Sequence, residues 1–188
     1  MLRTPIIVLS VLSLGLAGCA TLSTDECSTG DWHQIGKLDG NDGRAPDRFT
    51  HHAKACKLDR SEASRALYIS GREEGLKSYC TTVRGYREGA LGQVYADVCP
   101  GGSAASFMQG YELGRRIHQT ESQASTTLDS YHTVTQKLLR AETEAERTQL
   151  RQEQARLEAE NARLKQEVQT LRAQADAMIA SARRQKKL

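Results

Sequence analysis

Glycines spaced four residues apart are the feature that most restricts how this chain can fold. Four Gly-x-x-x-Gly pairs occur in the first two thirds of the sequence: Gly36 with Gly40, Gly71 with Gly75, Gly85 with Gly89, and Gly110 with Gly114. Residues four apart lie on one face of a helix, so each pair forms a flat strip against which another helix or an aromatic ring can pack closely. Each glycine costs up to ~1 kcal/mol of helix propensity, and close packing has to offset that cost.

Charged residues between the paired glycines exclude helix pairing inside a lipid bilayer, so we expect the close contacts in a water-exposed module. Cap and break signals indicate several short helices: Asp31, Asp47, Ser61 and Ser103 are candidate N-caps, and Pro100-Gly101-Gly102 is a break. Alternation of apolar and polar residues is poor. We therefore predict a mainly α fold, with a β-rich, turn-dominated module as the alternative.

Composition divides the chain into two regions. Thirteen glycines lie between Gly30 and Gly114 and none follows, and neither proline nor cysteine occurs after Cys99-Pro100. We place the boundary near residues 115–125. A glycine-rich module of about residues 27–118 precedes it, and a second region of about residues 120–184 follows.

The second region carries a seven-residue repeat with leucine or methionine at d and with Glu–Lys or Glu–Arg pairs between g and e. This pattern predicts one long coiled-coil helix, and a polar residue at an a position favours a defined register. The upstream apolar stripe is out of phase, which indicates a stutter or a break before the repeat. The predicted core positions are Leu150, Leu157, Asn161, Leu164, Val168, Leu171 and Met178.

We expect this coil to make the protein a homo-oligomer, first a parallel dimer and otherwise a trimer. The alternative is a single solvated helix stabilised by i,i+4 charge pairs. About 60 helical residues would span ~90 Å at ~1.5 Å per residue. The basic tail, residues 185–188, favours the C-terminal end of a helix dipole; the alternative is a basic tip that meets an anionic polymer or a membrane.

The N-terminus has the layout of a secretory signal peptide, with Arg3 ahead of an apolar run over residues 5–16 that is too short to span a bilayer. Leu16-Ala17-Gly18-Cys19 resembles the lipobox of bacterial lipoproteins. The resemblance implies that residues 1–18 are removed, that Cys19 carries lipid, and that residues 19–26 form a short linker. Ala20 stands where an aspartate would favour the inner membrane, so we expect the periplasmic face of the outer membrane. The alternative is a cleaved, unlipidated secretion signal.

Four cysteines remain when Cys19 is lipidated: Cys27, Cys56, Cys80 and Cys99. An even number in an exported chain predicts two disulfides, and four cysteines allow three pairings. We expect Cys27–Cys56 with Cys80–Cys99, because each then closes a short local loop. The second pair needs a bend between its cysteines, which the intervening glycines allow.

The module also resembles a known family. The residues that carry the resemblance are Asp31-Trp32, Ile35-Gly36, Asp39-Gly40, Cys56, the series Tyr68 to Cys80 and the series Gly85 to Pro100. They are similar to the bacterial envelope lipoproteins of domain of unknown function 2799 over about residues 27–118. The family implies no activity, substrate or catalytic residue. The stretch Thr81–Gly85 departs from the turn that its members have after the Tyr-Cys pair.

The sequence offers no nucleophile elbow, phosphate loop or paired-carboxylate signature, so we do not expect an enzyme or a cofactor. His51, His52 and Cys56 have helical spacing for a metal, but no second cluster completes four ligands, and we expect no metal. Without residues 1–18, 25 Lys and Arg face 23 Asp and Glu. This near balance gives no argument for nucleic-acid binding.

Two functions remain. The first is a structural or interaction role for a lipid-anchored envelope protein, in which the coil oligomerises or reaches a cell-wall or envelope partner. The alternative is a module that binds peptidoglycan or carbohydrate through an exposed surface of aromatic rings, namely Trp32, Tyr68, Tyr79, Tyr86 and Tyr95.

Overall fold

The computed structural model describes residues 22–58 and 60–185, and within these ranges it contains seven α-helices and no strand. The mainly α prediction is confirmed, with two disulfides in a glycine-rich module and a long C-terminal helix. The signal peptide, Cys19 and residues 186–188 lie outside the described residues. The helices are α1 (Thr24–Thr29), α2 (Trp32–Asn41), α3 (Arg48–Cys56), α4 (Glu62–Tyr79), α5 (Thr82–Ala90), α6 (Gly101–Arg140) and α7 (Glu144–Gln185).

The paired glycines bring α2 and α4 together backbone to backbone. A Cβ added to Gly36 would overlap the carbonyl oxygen of Tyr68, and one added to Gly40 would overlap that of Arg72. The contacts advance along both helices in the same direction, so the two helices are parallel. The reciprocal contacts come from the glycines of α4, whose added Cβ atoms would overlap the carbonyl oxygens of His33 and Lys37.

Helices α5 and α6 repeat this arrangement. Added Cβ atoms at Gly85 and Gly89 would overlap the carbonyl oxygens of Phe107 and Tyr111. This pair is also parallel, because the contacts again advance together. The close helix contact predicted from the glycine spacing is thus confirmed at all four Gly-x-x-x-Gly pairs, and the module consists of the same helix pair used twice.

The first helix of each pair ends in the same turn. Gly43 and Gly92 have left-handed φ angles of 65° and 68°. The next residues close the turns, with Arg44 N donating to Asp39 O at 2.8 Å and Gln93 N donating to Glu88 O at 2.9 Å. This six-to-one bond across a left-handed glycine is the Schellman motif.

The two disulfides sit at equivalent places in the two helix pairs. Cys27 and Cys56 precede α2 and α4, and Cys80 and Cys99 precede α5 and α6. Both helices of a parallel pair start at the same end of the pair. Each disulfide therefore joins the two segments that lead into the helices. The predicted pairing is confirmed. Loops of 29 and 19 residues are worth roughly 3 kcal/mol each in the chain-entropy account.

Apolar side chains form three small clusters along the chain. The first lies between α2, α3 and α4, the second lies where α4 meets α6, and the third joins α6 to α7. Their buried members are Trp32, Ile35, Phe49, Ala53 and Tyr68 in the first, Leu76, Tyr79, Cys80, Cys99 and Phe107 in the second, and Ile117, Leu171 and Ala175 in the third.

Helix α6 continues beyond the glycines, straight through the boundary predicted near residues 115–125, and α7 folds back along it. Asn161 of α7 bonds Ala124 of α6, while Gln154, nearer the turn, bonds Thr135. Residue numbers fall on one helix as they rise on the other, so α6 and α7 form an antiparallel hairpin.

The hairpin corrects the prediction of one unbroken helix from about residue 120 to 184. The helix is interrupted at residues 141–143, where Thr143 Oγ1 accepts a hydrogen bond from Glu146 N at 3.2 Å and begins α7. Arg147 also donates to the Ala141 carbonyl at 2.7 Å. These bonds satisfy backbone groups that the interruption leaves without helical partners, and the interruption agrees with the expected break before Leu150.

We expect Gly36→Ala and Gly85→Ala each to lower the free energy of unfolding by about 3 kcal/mol, because the methyl group must push two packed backbones apart. Thermal and denaturant unfolding measure the change. Gly102→Ala is the matched control: its added Cβ meets nothing within 4 Å, and we expect stability to be unchanged or slightly higher. Equal stability of all three variants would contradict the backbone contact.

Candidate functional site

A buried polar network lies inside the first helix pair. Asp39 of α2 is 8% exposed and His52 of α3 is 0% exposed. His52 Nε2 lies 2.8 Å from Asp39 Oδ2, and the Tyr68 hydroxyl donates to the same oxygen at 2.7 Å. Arg48 Nε lies 3.9 Å from the other carboxylate oxygen. One carboxylate therefore ties α2 to both α3 and α4.

Burial and hydrogen bonding act on Asp39 in opposite directions. Burial favours the neutral acid and is the largest single influence on its pKa. The hydrogen bonds from His52 and Tyr68 and the electrostatic attraction of His52 and Arg48 together outweigh burial and lower the pKa. Burial and the adjacent carboxylate raise the pKa of Tyr68. The network is thus an ionised carboxylate held by a neutral phenol and an imidazole.

This network joins helices and lies largely inside their packing. His52 is fully buried, and the Trp32 and Phe49 rings pack beside Tyr68 with centroid separations of 6.3 and 5.5 Å. General acid–base chemistry needs a group within hydrogen-bond reach of the substrate. The fully buried imidazole does not meet this requirement in the structure, and the contacts of the network hold α2, α3 and α4 together.

A cleft of ≈ 420 Å³ separates the two helix pairs. Arg44 and Arg48 line one side, Arg84 and Glu88 line the other, and Tyr79 lies between them. Arg84 Nε is 2.8 Å from Glu88 Oε1, and its guanidinium carbon is 5.5 Å from the centre of the Tyr79 ring. Burial raises the pKa of Tyr79 to about 12, so the phenol is neutral at pH 7. Asp42 and Asp47 also line the cleft, so three acidic side chains balance its three arginines.

The predicted coil positions face α6 of the same chain. Leu157, Asn161, Leu164, Val168 and Leu171 are buried, whereas Leu150 and Met178 near the two ends of α7 are half-buried. The parallel dimer or trimer expected from the heptads would pack these positions against a second chain. In the structure, α6 of the same chain occupies that place. The seam is therefore filled within one chain, and an oligomer has to use another face.

One such face is a shallow groove of ≈ 280 Å³ in the middle of the hairpin. Leu128, 39% exposed, and Tyr131, half-buried, come from α6. We call this surface the hairpin groove, and its residues are Leu128, Tyr131, Glu158, Asn161, Ala162 and Lys165. Sequence reasoning missed it because it needs α6 and α7 side by side; the available signals were the out-of-phase stripe through Leu128 and Tyr131 and the Thr143-x-x-Glu146 cap.

Residues 31–116 match the model of the family described as "Protein of unknown function (DUF2799)". Residues 31–116 belong to this family, and we call this part of the chain the DUF2799 module. The match covers both parallel helix pairs and ends before the hairpin projects. No curated protein and no solved structure matches the chain.

The residues considered for a metal site have other partners in the DUF2799 module. His52 is bonded to Asp39, and Cys56 is in a disulfide with Cys27. Within the described ranges, no group of three or more His, Cys, Asp or Glu side chains is placed to hold a metal ion.

Aromatic side chains of the DUF2799 module form its cores. Trp32, Tyr68 and Tyr79 are buried, and Tyr86 and Tyr95 are half-buried. The prediction that Trp32, Tyr68 and Tyr79 form an exposed stacking surface is therefore wrong. None of the helices described is long and apolar enough to cross a membrane.

We expect Asp39→Asn to lower the free energy of unfolding at pH 7 by about 2–3 kcal/mol, because His52 and Tyr68 lose their charged acceptor. Folding lowers the pKa of Asp39 below its ordinary value of 3.8, so the carboxylate's contribution is fully present above that value. It is lost as the pH falls through the lower pKa of the folded protein.

The difference in unfolding free energy between Asp39→Asn and the wild type should therefore narrow below about pH 3.8. Denaturant titrations at pH 7 and at a series of acidic pH values measure it. Asp47→Asn is the control, since Asp47 is exposed and its side chain caps nothing in the described structure. A difference that stays constant with pH would show that the Asp39 charge is not what stabilises the fold.

Proposed function

We propose that the protein is a lipid-anchored interaction protein of the bacterial cell envelope. In this proposal Cys19 carries the lipid, the DUF2799 module lies close to the bilayer, and the α6–α7 hairpin projects from the module and presents a docking surface. The sequence around Cys19 supports both the lipid anchor and the location in the cell envelope. Only residues 20–23 separate Cys19 from the start of α1 at Thr24, so the expected 19–26 linker includes the first turn of that helix.

The observation that carries the proposed interaction role is the unsupported half of the hairpin. The third apolar cluster joins α7 to the module through Leu171 and Ala175, beside Tyr86 and Ile117. Beyond Thr120, α6 continues for 20 residues to Arg140, and the described helix that packs along this part is α7. At ~1.5 Å per residue this part projects ~30 Å, which is shorter than the ~90 Å of one continuous helix.

Exposed apolar side chains on the projecting part support a docking role. Leu139, beside the turn, is 76% exposed, and Leu128 is 39% exposed. The module also exposes apolar side chains, at Leu67, Leu91 and Val94, but those of the hairpin project beyond the module. A hairpin that holds such side chains away from the module is suited to meeting another protein.

The anchor predicts that cells fed a clickable palmitate analogue label the protein. Cys19→Ser should remove the label, because it lacks the thiol that receives the diacylglyceryl group, whereas Ala20→Ser should keep it. Labelling of Cys19→Ser, or a wild-type protein that is unlabelled and water-soluble, would contradict the lipid anchor.

The docking role predicts capture of an identified envelope protein, or of a second copy, by a photo-crosslinking residue at position 139 in intact cells. The same residue at position 67 is the control, since Leu67 is 54% exposed but lies on α4 of the module. Capture from position 67 alone would transfer the role to the module. Retention of the module on isolated peptidoglycan would then favour the carbohydrate-binding alternative.

A further inference from the structure

We propose that the hairpin groove binds a second copy of this chain, with the two hairpins packed antiparallel as a four-helix bundle. The inference rests on the proposed function, since it names the partner of the same hairpin. It is carried by the charges that line the groove, by their spacing along α7, and by the apolar floor between them.

The charged residues in the middle of α7 separate into two sets. Between residues 147 and 172 there are ten, and eight of them form ion pairs in residues 22–58 and 60–185. Glu158 and Lys165 are the two without such a pair in these ranges, and both line the hairpin groove. Within residues 147–172 the charges outside the groove are thus paired, and the two unpaired charges, one of each sign, line the groove. Nearer the ends of α7, Glu146, Asp176, Arg183 and Arg184 also have no ion pair among the described residues.

The spacing of these two charges is self-complementary. Glu158 and Lys165 are seven residues apart, two helical turns on one face, and their midpoint falls between Asn161 and Ala162. A twofold axis through this midpoint places Glu158 of each chain opposite Lys165 of the other and forms two ion pairs. A parallel, in-register packing would place like charges opposite each other.

The floor of the groove suits close helix packing. Leu128 and Tyr131 supply apolar surface from α6, and Ala162 supplies a small residue from α7. Asn161 is 6% exposed; its Nδ2 donates to Ala124 O at 3.2 Å, while its Oδ1 has no hydrogen-bond partner in the described chain. A second hairpin packed on this floor buries Leu128. Hairpins paired in this way form an antiparallel four-helix bundle.

Charge reversal tests the proposed pairing in the full lipidated chain, purified in a mild detergent, with dimerisation followed by sedimentation. Glu158→Lys and Lys165→Glu should each weaken dimerisation about tenfold or more, because two attractions become two repulsions. The double variant with both substitutions should restore it. Arg156→Glu is the control, since Arg156 does not line the groove and should leave the dimer unchanged.

Each outcome of this experiment either supports or overturns the proposed dimer. A wild-type chain that stays monomeric at micromolar concentration overturns the proposal. Single reversals without effect overturn the groove as the contact face. Single reversals that weaken the dimer without rescue by the double variant overturn the antiparallel arrangement.

Introduced cysteines test the orientation in intact cells. Ala162→Cys places a thiol beside the twofold axis, and we expect a disulfide-linked dimer on a non-reducing gel. Ala173→Cys lies three turns further along the same face, where the two introduced thiols would be ~35 Å apart in the antiparallel dimer, and should not crosslink. Crosslinking at both positions would indicate a parallel dimer, and crosslinking at neither would overturn the contact.

The two proposals fail in different ways. A monomeric chain whose position 139 still captures an envelope protein would keep the interaction role and remove self-association. Dimerisation through the groove, with no lipid label and no capture from position 139, would keep self-association and remove the role of an anchored interaction protein.

Discussion

Direct contact between two helix backbones is the interaction on which the rest of the DUF2799 module depends. Gly36 and Gly40 on α2, and their equivalents on the other three helices, leave no side chain between the axes. The module can therefore be small, because few apolar residues are needed to fill the space between such close helices. Its aromatic rings pack around the contact and not within it.

Parallel helices held this closely create a topological requirement. After the first helix ends, the chain must return to its starting end before the second can begin. In the first pair α3 makes this return, and in the second the segment of residues 91–100 makes it. The disulfides fix both returns, at Cys56 and at Cys99. The repeated Schellman turns at Gly43 and Gly92 start the two returns in the same way, which explains why the two halves share a design while differing in their connecting segments.

Much of this design could be predicted from local signals. Glycines at four-residue spacing indicated the helix contact, and short loops indicated the disulfide pairing. Heptads indicated which residues of α7 are buried. The rule that selects one face of a helix is local, so it identified Leu157, Leu164 and Leu171 without knowing what they would meet.

What covers that face depends on residues distant in the sequence, which a local pattern does not specify. A heptad face packs equally well on a second chain or on an earlier helix of the same chain, and the choice depended on a three-residue turn capped by Thr143. The Asp39 network was missed for a related reason. Its members are 13 and 29 residues from Asp39, and no spacing rule joins an acid to a histidine on a different helix.

The return of α7 also determines where the C-terminal end of the described chain lies. Ala182, Arg183 and Gln185 line one pocket together with Cys80 and Thr82 at the start of α5. A fluorescent protein or affinity tag fused after the last residue would therefore report the position of the module and crowd its second disulfide. A reporter meant for the distal end belongs in the turn at residues 141–143.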